Sequence, residues 1–238
     1  MKKLILLLFL VLLVTGCSKD GNTLVIVTEA GFAPYEYYEN NKIVGIDIDI
    51  AEEIAKRLDK ELVVKDVAFD SIINELNSGK ADIALAGMSI TAERQEEVDF
   101  SIEYAVSKQV IVALKDTNIK KVSDLNNKTI SVQLGSVADS YVTENFKNAK
   151  LIQQKKFLSA AEDIKGKKAD CLIMDELPAT ELVKNNPELK ILNIELFTDK
   201  YAAVVAKGNT KLLEQINEVL QDLIDSGKIN EFTINHTK

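Results

Sequence analysis

The chain contains little of what metal sites and disulfide frameworks are built from. Its 238 residues include two cysteines, one histidine, three prolines and ten glycines. Two cysteines and one histidine are too few soft ligands for a structural zinc site. The low glycine and proline contents exclude collagen-like and low-complexity sequences. The remaining composition, 46% hydrophobic and 28% charged, is globular and allows one large domain or two lobes of roughly 100 residues each.

An excess of positive charge is also missing. The sequence has 29 basic and 37 acidic side chains, which gives a formal net charge of −8. Domains that bind nucleic acid carry basic patches on their surface. The charge balance therefore predicts that the protein has no nucleic-acid partner.

The apolar run at the N-terminus is too short to remain in a membrane as a spanning helix. Two lysines precede eleven consecutive apolar residues, 4–14, whereas a spanning helix needs about 20. A basic start, an apolar stretch and small residues before a break are typical of an export signal. The segment VTGC ending at Cys17 resembles the bacterial lipobox, in which the cysteine is lipidated and becomes the new N-terminus. We therefore predict a signal peptide over 1–16 and a lipid-anchored linker over 17–22.

This interpretation places the protein on the extracytoplasmic face of the cell membrane, attached through a lipid on Cys17. A plain signal peptide with an incidental cysteine is the alternative. Once Cys17 is acylated, Cys171 is the one remaining thiol, so no intrachain disulfide can form. Cys171 lies in the apolar run 169–174 and is predicted to be a buried core residue.

The sequence lacks the short motifs of the common catalytic centres. It has no G-x-G-x-x-G, no phosphate-binding loop, no G-x-S-x-G, no C-x-x-C and no H-E-x-x-H. Ser136 could suggest a nucleophile, but the one histidine that could activate it, His236, lies close to the chain terminus. We therefore expect no catalytic residue, no cofactor and no metal.

Apolar strand patterns alternate with amphipathic helix patterns along the chain, which predicts an α/β fold. The segments 79–87 and 166–175 share one pattern: a helix stop, a basic residue, Ala-Asp and an apolar strand. Gly87 and Asp175 end the two copies at equivalent positions. Because open α/β sheets bind ligands beyond their strand C-termini, two facing sheets would place these residues on opposite walls of one cleft. Chance similarity of two helix–strand joints is the alternative.

Several motifs follow one another in a characteristic order. They are FAPY at 32–35, GIDID at 45–49, AGMSITAER at 86–94, VDFS at 98–101, VQLGS at 132–136, ADCLIMD at 169–175 and LIDSG at 223–227. In this order and spacing they resemble the polar amino-acid family of ABC-transporter substrate-binding proteins, the solute-binding lipoproteins of bacterial importers. The resemblance covers nearly all of the chain that follows the signal.

The resemblance implies a periplasmic-binding-protein-like type II fold. Two α/β lobes would be joined by two strand crossings, in 109–114 and 201–206, and would close like a hinge around an amino acid. The first lobe is expected to comprise 23–112 and 200–238, and the second 113–199.

The resemblance also implies how the ends of the amino acid are bound. Arg94 would bind the carboxylate through its planar guanidinium, together with Ser89 and the helix N-terminus at Ser136. Asp175 would bind the ammonium group, helped by the Gly87 carbonyl. The alternatives are a surface position for Arg94 and an ordinary strand-end carboxylate for Asp175.

The ligand side chain would lie between Phe32 and Phe69, which would otherwise be core residues. Glu29 matches the acid that commonly reads the side chain in this family, and Asp47 could add to its charge. Gln133 would be an uncharged contact from the other lobe. Because a buried carboxylate is costly without a cation, these acids favour arginine or lysine. If Glu29 instead pairs with a protein lysine or with solvent, the ligand is a neutral polar amino acid such as glutamine or histidine.

The sequence thus predicts a monomeric lipoprotein that captures an amino acid and delivers it to an ABC permease in the membrane. Two alternatives remain at this point. One is an enzyme on the same fold, similar to cyclohexadienyl or arogenate dehydratases, with Glu29 as its acid. The other is a ligand sensor that informs a signalling partner.

Overall fold

The computed structural model describes residues 21–237, so the predicted signal peptide and the lipidation at Cys17 lie outside the described residues. The strands are β1 (Thr23–Thr28), β2 (Gly31–Phe32), β3 (Glu36–Glu39), β4 (Lys42–Val44), β5 (Glu61–Asp66), β6 (Ile83–Ala84), β7 (Val98–Leu114), β8 (Thr129–Gln133), β9 (Lys150–Gln154), β10 (Cys171–Asp175), β11 (Leu189–Ile191) and β12 (Thr198–Ala206). The α-helices are α1 (Ile46–Arg57), α2 (Ile72–Asn77), α3 (Ala92–Glu97), α4 (Val137–Asn145), α5 (Phe157–Lys165), α6 (Glu176–Lys184), α7 (Thr210–Asp225) and α8 (Lys228–His236). None of the helices in the described part of the chain combines the length and the apolar character that crossing a bilayer requires.

The main sheet runs in the order β5-β1-β6-β12-β7-β10-β8-β9, with β11 also pairing to β7. Its organising element is β7, a strand of 17 residues. From Val98 to Lys108 this strand pairs with β12. From Gln109 to Ala113 it pairs with β10. The partner of β7 therefore changes between Lys108 and Gln109, and the sheet divides there into two parts.

The two parts of the sheet form two α/β lobes, which confirms the predicted fold class. Strands β1, β5 and β6 belong to the first lobe with α1, α2, α7 and α8, and strands β8 to β11 belong to the second lobe with α4 to α6. Both β7 and β12 connect the lobes, and they contain the segments 109–114 and 201–206 that were expected to cross. The domain limits at 112 and 199 stay a prediction.

The hydrophobic core continues across the boundary between the lobes. Leu24 and Ile26 of the first lobe belong to one buried cluster with Phe157 and Leu172 of the second. The rings of Phe32 and Phe157 meet edge-on, with their centroids 5.3 Å apart. The lobes are therefore in contact, and the molecule is closed.

A second cluster belongs to the second lobe alone and contains Cys171. Cys171 is fully buried, and this burial raises the pKa of its thiol to about 12. The prediction that Cys171 is a core residue is confirmed.

Helix α1 shows how local sequence positions the interior of the first lobe. Ile46, Ile50 and Ile54 recur at intervals of four residues and are all buried. Acidic residues in the first turn and basic residues in the last turn complement the helix dipole. Because the apolar face begins at the first residue of the helix, the first turn is buried as well and carries Asp47 into the interior.

Gly45 joins β4 to α1 at a very close approach of two chain segments. The carbonyls of Pro34 and Tyr35 accept hydrogen bonds from the N–H groups of Ile46 and Asp47, both at 3.0 Å. Gly45 has φ of +137°, and a Cβ atom at this position would overlap the Tyr35 carbonyl. Glycine is required here for both reasons.

We expect Gly45→Ala to lower the free energy of unfolding by about 3 kcal/mol or more, because overlap adds to backbone strain. Gly79→Ala is the matched control, since Gly79 has φ of +70° but open space around its Cβ position. It should cost about 1 kcal/mol from strain alone. Denaturant titration of both variants measures the difference, and equal losses would contradict the predicted overlap.

Candidate functional site

A cavity lies between the lobes, at the C-terminal ends of β1, β6, β8 and β10, and its free volume is about 20 Å³. It is lined by Glu29, Phe32, Glu36, Phe69, Ala86, Gly87, Ser89, Arg94, Gln133, Ser136, Val137 and Asp175. Every predicted ligand residue except Asp47 is in this set. Pockets for small molecules typically have volumes of about 300–1,000 Å³, so the free volume left between the closed lobes is far below that range.

Arg94 is a buried cation that contacts both lobes. Thr91 begins α3 by accepting a hydrogen bond from the Arg94 N–H, which fixes the position of this side chain. The guanidinium donates from Nη1 to the Ser89 carbonyl at 2.6 Å and from Nη2 to the Gly135 carbonyl of the second lobe at 2.9 Å. It also lies over the Phe69 ring, 5.4 Å from the centroid.

No carboxylate within residues 21–237 forms an ion pair with Arg94 at 4.0 Å or less. The side chain is only 8% exposed. Burial lowers the pKa of Arg94 to about 10, against the opposing effect of more distant acids. The guanidinium therefore remains charged at neutral pH and can bind an anion that enters the cavity.

Asp175 faces the cavity from the second lobe. It ends β10 and precedes α6, but its side chain makes no capping hydrogen bond to that helix. Instead, Oδ1 accepts from Ser107 Oγ and from Gln109 Nε2, both at 2.7 Å. Burial raises the pKa of Asp175. Two residues of the connecting strand β7 thus hold the carboxylate where a ligand cation can reach it.

Glu29 is 2% exposed and is contacted from the second lobe on both oxygens. Oε2 accepts from Gln133 Nε2 at 3.0 Å, and Oε1 lies 3.5 Å from Lys156 Nζ. Burial raises the pKa of Glu29, and the charge of Lys156 opposes that rise. The pairing of Glu29 with a protein lysine, which the sequence left open, is present in the structure.

Asp47 lies behind the cavity wall, because α1 buries its first turn. Its Oδ2 accepts from the Gly87 N–H at 2.8 Å and from Tyr104 Oη at 2.9 Å. Burial raises the pKa of Asp47 to about 6. Gly87 has φ of +52°, and a Cβ atom there would lie 3.0 Å from the Phe32 ring. Asp47 therefore holds Gly87 against Phe32, and the structure does not bring Asp47 into the cavity itself.

The two predicted serines also have structural partners. Ser136 begins α4, as expected, with Oγ accepting from the Asp139 N–H at 3.2 Å. Ser89 donates its hydroxyl to Asp199 Oδ2 at 2.5 Å. The hydroxyl proton of Ser89 is thus already engaged by Asp199.

Two acids of the site were missed by the sequence analysis. Glu36 lines the cavity, is 1% exposed, and neither carboxyl oxygen has a hydrogen-bond partner within the described chain. Burial and the neighbouring acids Asp47 and Glu29 raise its pKa well above the usual value. Burial and the charge of Asp175 raise the pKa of Asp199, on β12, to about 7. Glu36 directly follows the FAPY motif, so its position next to that motif could have indicated a site residue. Nothing in the sequence around Asp199 indicates that it belongs to the site.

The site offers both a positive charge and negative charges to a ligand, and the described residues give it no metal-binding group. Within residues 21–237, no group of three or more His, Cys, Asp or Glu residues is placed to hold a metal ion. The one histidine, His236, contacts Tyr37 and Asp49 at 3.1 and 3.0 Å, away from the cavity lining. The arrangement offers the Arg94 cation on the first lobe and carboxylates on both lobes, Glu29 and Glu36 on the first and Asp175 on the second.

The raised pKa of Asp199 predicts a pH dependence. Its folded-state pKa lies above its ordinary value, so the folded protein holds a proton that the unfolded chain releases. This contribution to stability is present at low pH and is lost as the pH rises through about 7. We expect Asp199→Asn to flatten the change in melting temperature between pH 5.5 and 7.5.

Asp99→Asn is the control for this experiment. Hydrogen bonds from Lys207 and the Gly208 N–H lower the pKa of Asp99, so it stays ionised across this range. It should leave the slope of melting temperature against pH unchanged. If Asp199→Asn also leaves that slope unchanged, Asp199 does not titrate there.

The chain is similar to known proteins over most of its length. Residues 24–236 match the family model of bacterial extracellular solute-binding proteins, family 3. Residues 1–18 match the model of the prokaryotic membrane lipoprotein lipid attachment site, which includes Cys17. The chain is 30% identical over 224 residues to the arginine-binding extracellular protein ArtP of Bacillus subtilis (strain 168), covering 91% of this chain and 87% of that protein.

Two solved structures are similar to this chain over most of their length. One is the amino acid ABC transporter substrate-binding protein AbpA from Streptococcus pneumoniae bound to L-arginine, with TM-score 0.87 and 31% identity over 91% of this chain and 94% of that one. The other is an ancestral arginine-binding protein bound to glutamine, with TM-score 0.86 and 37% identity over 91% of this chain and 99% of that one.

Proposed function

The chain belongs to family 3 of the bacterial extracellular solute-binding proteins, and we propose that it captures a cationic amino acid, arginine first, and delivers it to an ABC permease. The family resemblance stated from the motifs is confirmed. The relatives described above are named as binding proteins, which does not favour a dehydratase on the same fold.

The observation that carries this proposal is the isolated charge of Arg94. The Arg94 guanidinium is shielded from water and hydrogen-bonded to two carbonyls, and no carboxylate in the described part of the chain forms an ion pair with it. The carboxylate of a free amino acid would supply such a counter-ion, and the ammonium group would then bind Asp175 and the Gly87 carbonyl across the same cavity. The phenyl rings of Phe32 and Phe69 would flank the side chain.

The charge balance around the cavity favours a cationic side chain. Five acids lie in or beside the cavity: Glu29, Glu36, Asp47, Asp175 and Asp199. Among the described residues, Arg94 and Lys156 are the cations that face them. A zwitterion with a neutral side chain leaves this acidic surplus unchanged. A guanidinium or ammonium at the Glu29 end reduces it, and the relatives named for arginine support the same ligand.

A neutral polar amino acid, glutamine above all, is the second candidate ligand. Lys156 already gives Glu29 a cation, so a neutral side chain beside Glu29 does not leave this acid unpaired. The ancestral arginine-binding protein that was solved with glutamine is consistent with such tolerance.

We further propose that the protein is a monomer held at the extracytoplasmic face of the cell membrane by a lipid on Cys17. The match of residues 1–18 to the lipid attachment model supports this anchor.

Removing either charged side chain that binds an end of the amino acid should weaken binding strongly. We expect Arg94→Ala and Asp175→Ala to weaken arginine binding at least about 100-fold, because each leaves a buried ligand charge unpaired, a loss of about 3 kcal/mol or more. Isothermal titration calorimetry of the purified protein with arginine measures the effect.

Arg57→Ala is the matched control, since Arg57 is an exposed arginine that pairs with Asp222 far from the cavity. It should bind arginine like the wild type. If Arg94→Ala binds arginine within threefold of the wild type, the proposed carboxylate site is wrong.

The anchor can be tested with the two cysteines of the chain. We expect Cys17→Ala to move the protein from the membrane fraction to the soluble fraction, because the acylated residue is lost. Cys171→Ala should leave it in the membrane fraction, since Cys171 lies in the core of the second lobe. Membrane-bound Cys17→Ala protein would contradict lipidation at this position.

A further inference from the structure

Lys156 immediately precedes α5 in the second lobe, yet its charged group makes its contacts in the first lobe. Nζ donates to Asp66 Oδ1 at 2.6 Å, lies 3.5 Å from the Val67 carbonyl, and lies 3.5 Å from Glu29 Oε1. Since all three acceptors are on the opposite lobe, these contacts require the lobes to be closed.

The surroundings of Lys156 position it at the rim of the cavity. Its side chain is 40% exposed, whereas that of Glu29 is 2% exposed. Asp66, the closer partner, is itself held by the Ala30 N–H at 3.1 Å and by Tyr38 Oη at 3.3 Å. The lysine is therefore fixed from outside while its charge reaches the buried end of Glu29.

We propose that Lys156 determines how strictly the cavity requires a cationic ligand side chain, by giving Glu29 a counter-cation from the opposite lobe when the lobes close. This inference rests on the proposed function, because it concerns the side-chain end of the same cavity. Lys156 is a specificity-determining residue that acts through Glu29.

Lys156 affects the closure of the lobes differently for a neutral and for a cationic ligand side chain. Closing removes Glu29 from water, and a buried carboxylate without a cation is strongly unfavourable. With a neutral side chain, Lys156 alone supplies that cation. With arginine, the ligand supplies one as well, and the two cations repel each other. Lys156 therefore favours glutamine relative to arginine and broadens the range of ligands.

The test measures the dissociation constants of arginine and glutamine, by calorimetry or displacement, for the purified wild type and Lys156→Gln. We expect the preference for arginine over glutamine to rise about tenfold or more in Lys156→Gln, chiefly through weaker glutamine binding. Lys156→Arg, which keeps the charge, should retain the wild-type preference. Because Lys156 is partly exposed, its replacement does not disturb the core, and thermal melting checks this.

Lys155→Gln is the matched control: Lys155 is the exposed neighbour of Lys156, and its replacement should leave both constants unchanged. The effect should also vanish in the Glu29→Gln background, where there is no carboxylate to neutralise. A double variant that still shows the tenfold change would overturn the proposal, since Lys156 would then act on the ligand without Glu29.

Equal weakening of both ligands in Lys156→Gln would overturn the proposal in another way, because Lys156 would then only hold the lobes together. Wild-type protein that binds arginine but not glutamine would contradict it too, since no tolerance would exist to explain. Failure of the proposed function is distinct from all of these: it appears in the wild type alone, as absence of binding to either amino acid.

Discussion

The site depends on the Arg94 guanidinium, which is buried between carbonyls and forms no ion pair with a carboxylate of residues 21–237. The carbonyls of Ser89 and Gly135 satisfy hydrogen bonds of Arg94 but carry only partial charges, so they offset part of the cost of burying a cation. Each carbonyl belongs to a different lobe, so this arrangement is complete only when the lobes meet. Arg94 therefore needs an anion to balance its charge, and it needs the closed lobes to complete its hydrogen bonds.

The strands that connect the lobes also carry the groups that orient the ligand-binding residues. Ser107 and Gln109 lie on β7, at the point where this strand changes partner, and both hold Asp175. Asp199 lies at the start of β12 and accepts from Ser89. Ser107 lies on the first-lobe side of the partner change and Asp175 on the second-lobe side. A change in the angle between the lobes would therefore disturb the hydrogen bond between them, which couples closure to recognition.

The parts of the site that the sequence predicted are those set by local structure. Asp175 ends β10 and Gly87 follows β6, and the position of a strand end can be predicted from a pattern of apolar residues. Lys156 could not be found this way, because it meets Asp66 across 90 positions of sequence and only in the closed molecule.

Asp47 shows a further limit of prediction from sequence. Residue type and motif indicated an acid near the ligand, but the turn at Gly45 and the burial of the first helical turn direct Asp47 toward the Gly87 N–H. The family resemblance gave the two lobes, whereas the register of β12 against β7, which brings Asp199 beside Ser89, is set by tertiary contacts.

Raised pKa values reduce the negative charge that the closed interior has to hold. The carboxyls of Glu36, Asp47 and Asp199 all have raised pKa values, chiefly because burial disfavours their charged form. A carboxyl that holds its proton adds no charge to the cavity, so the closed protein without a bound cation does not need to confine every negative charge that its sequence encodes. A cation placed among these groups favours their ionised form and lowers their pKa values, which by linkage means that the same groups release protons as the cation binds. The acidic surplus is therefore compatible with a stable closed state and, at the same time, with selection for positive charge.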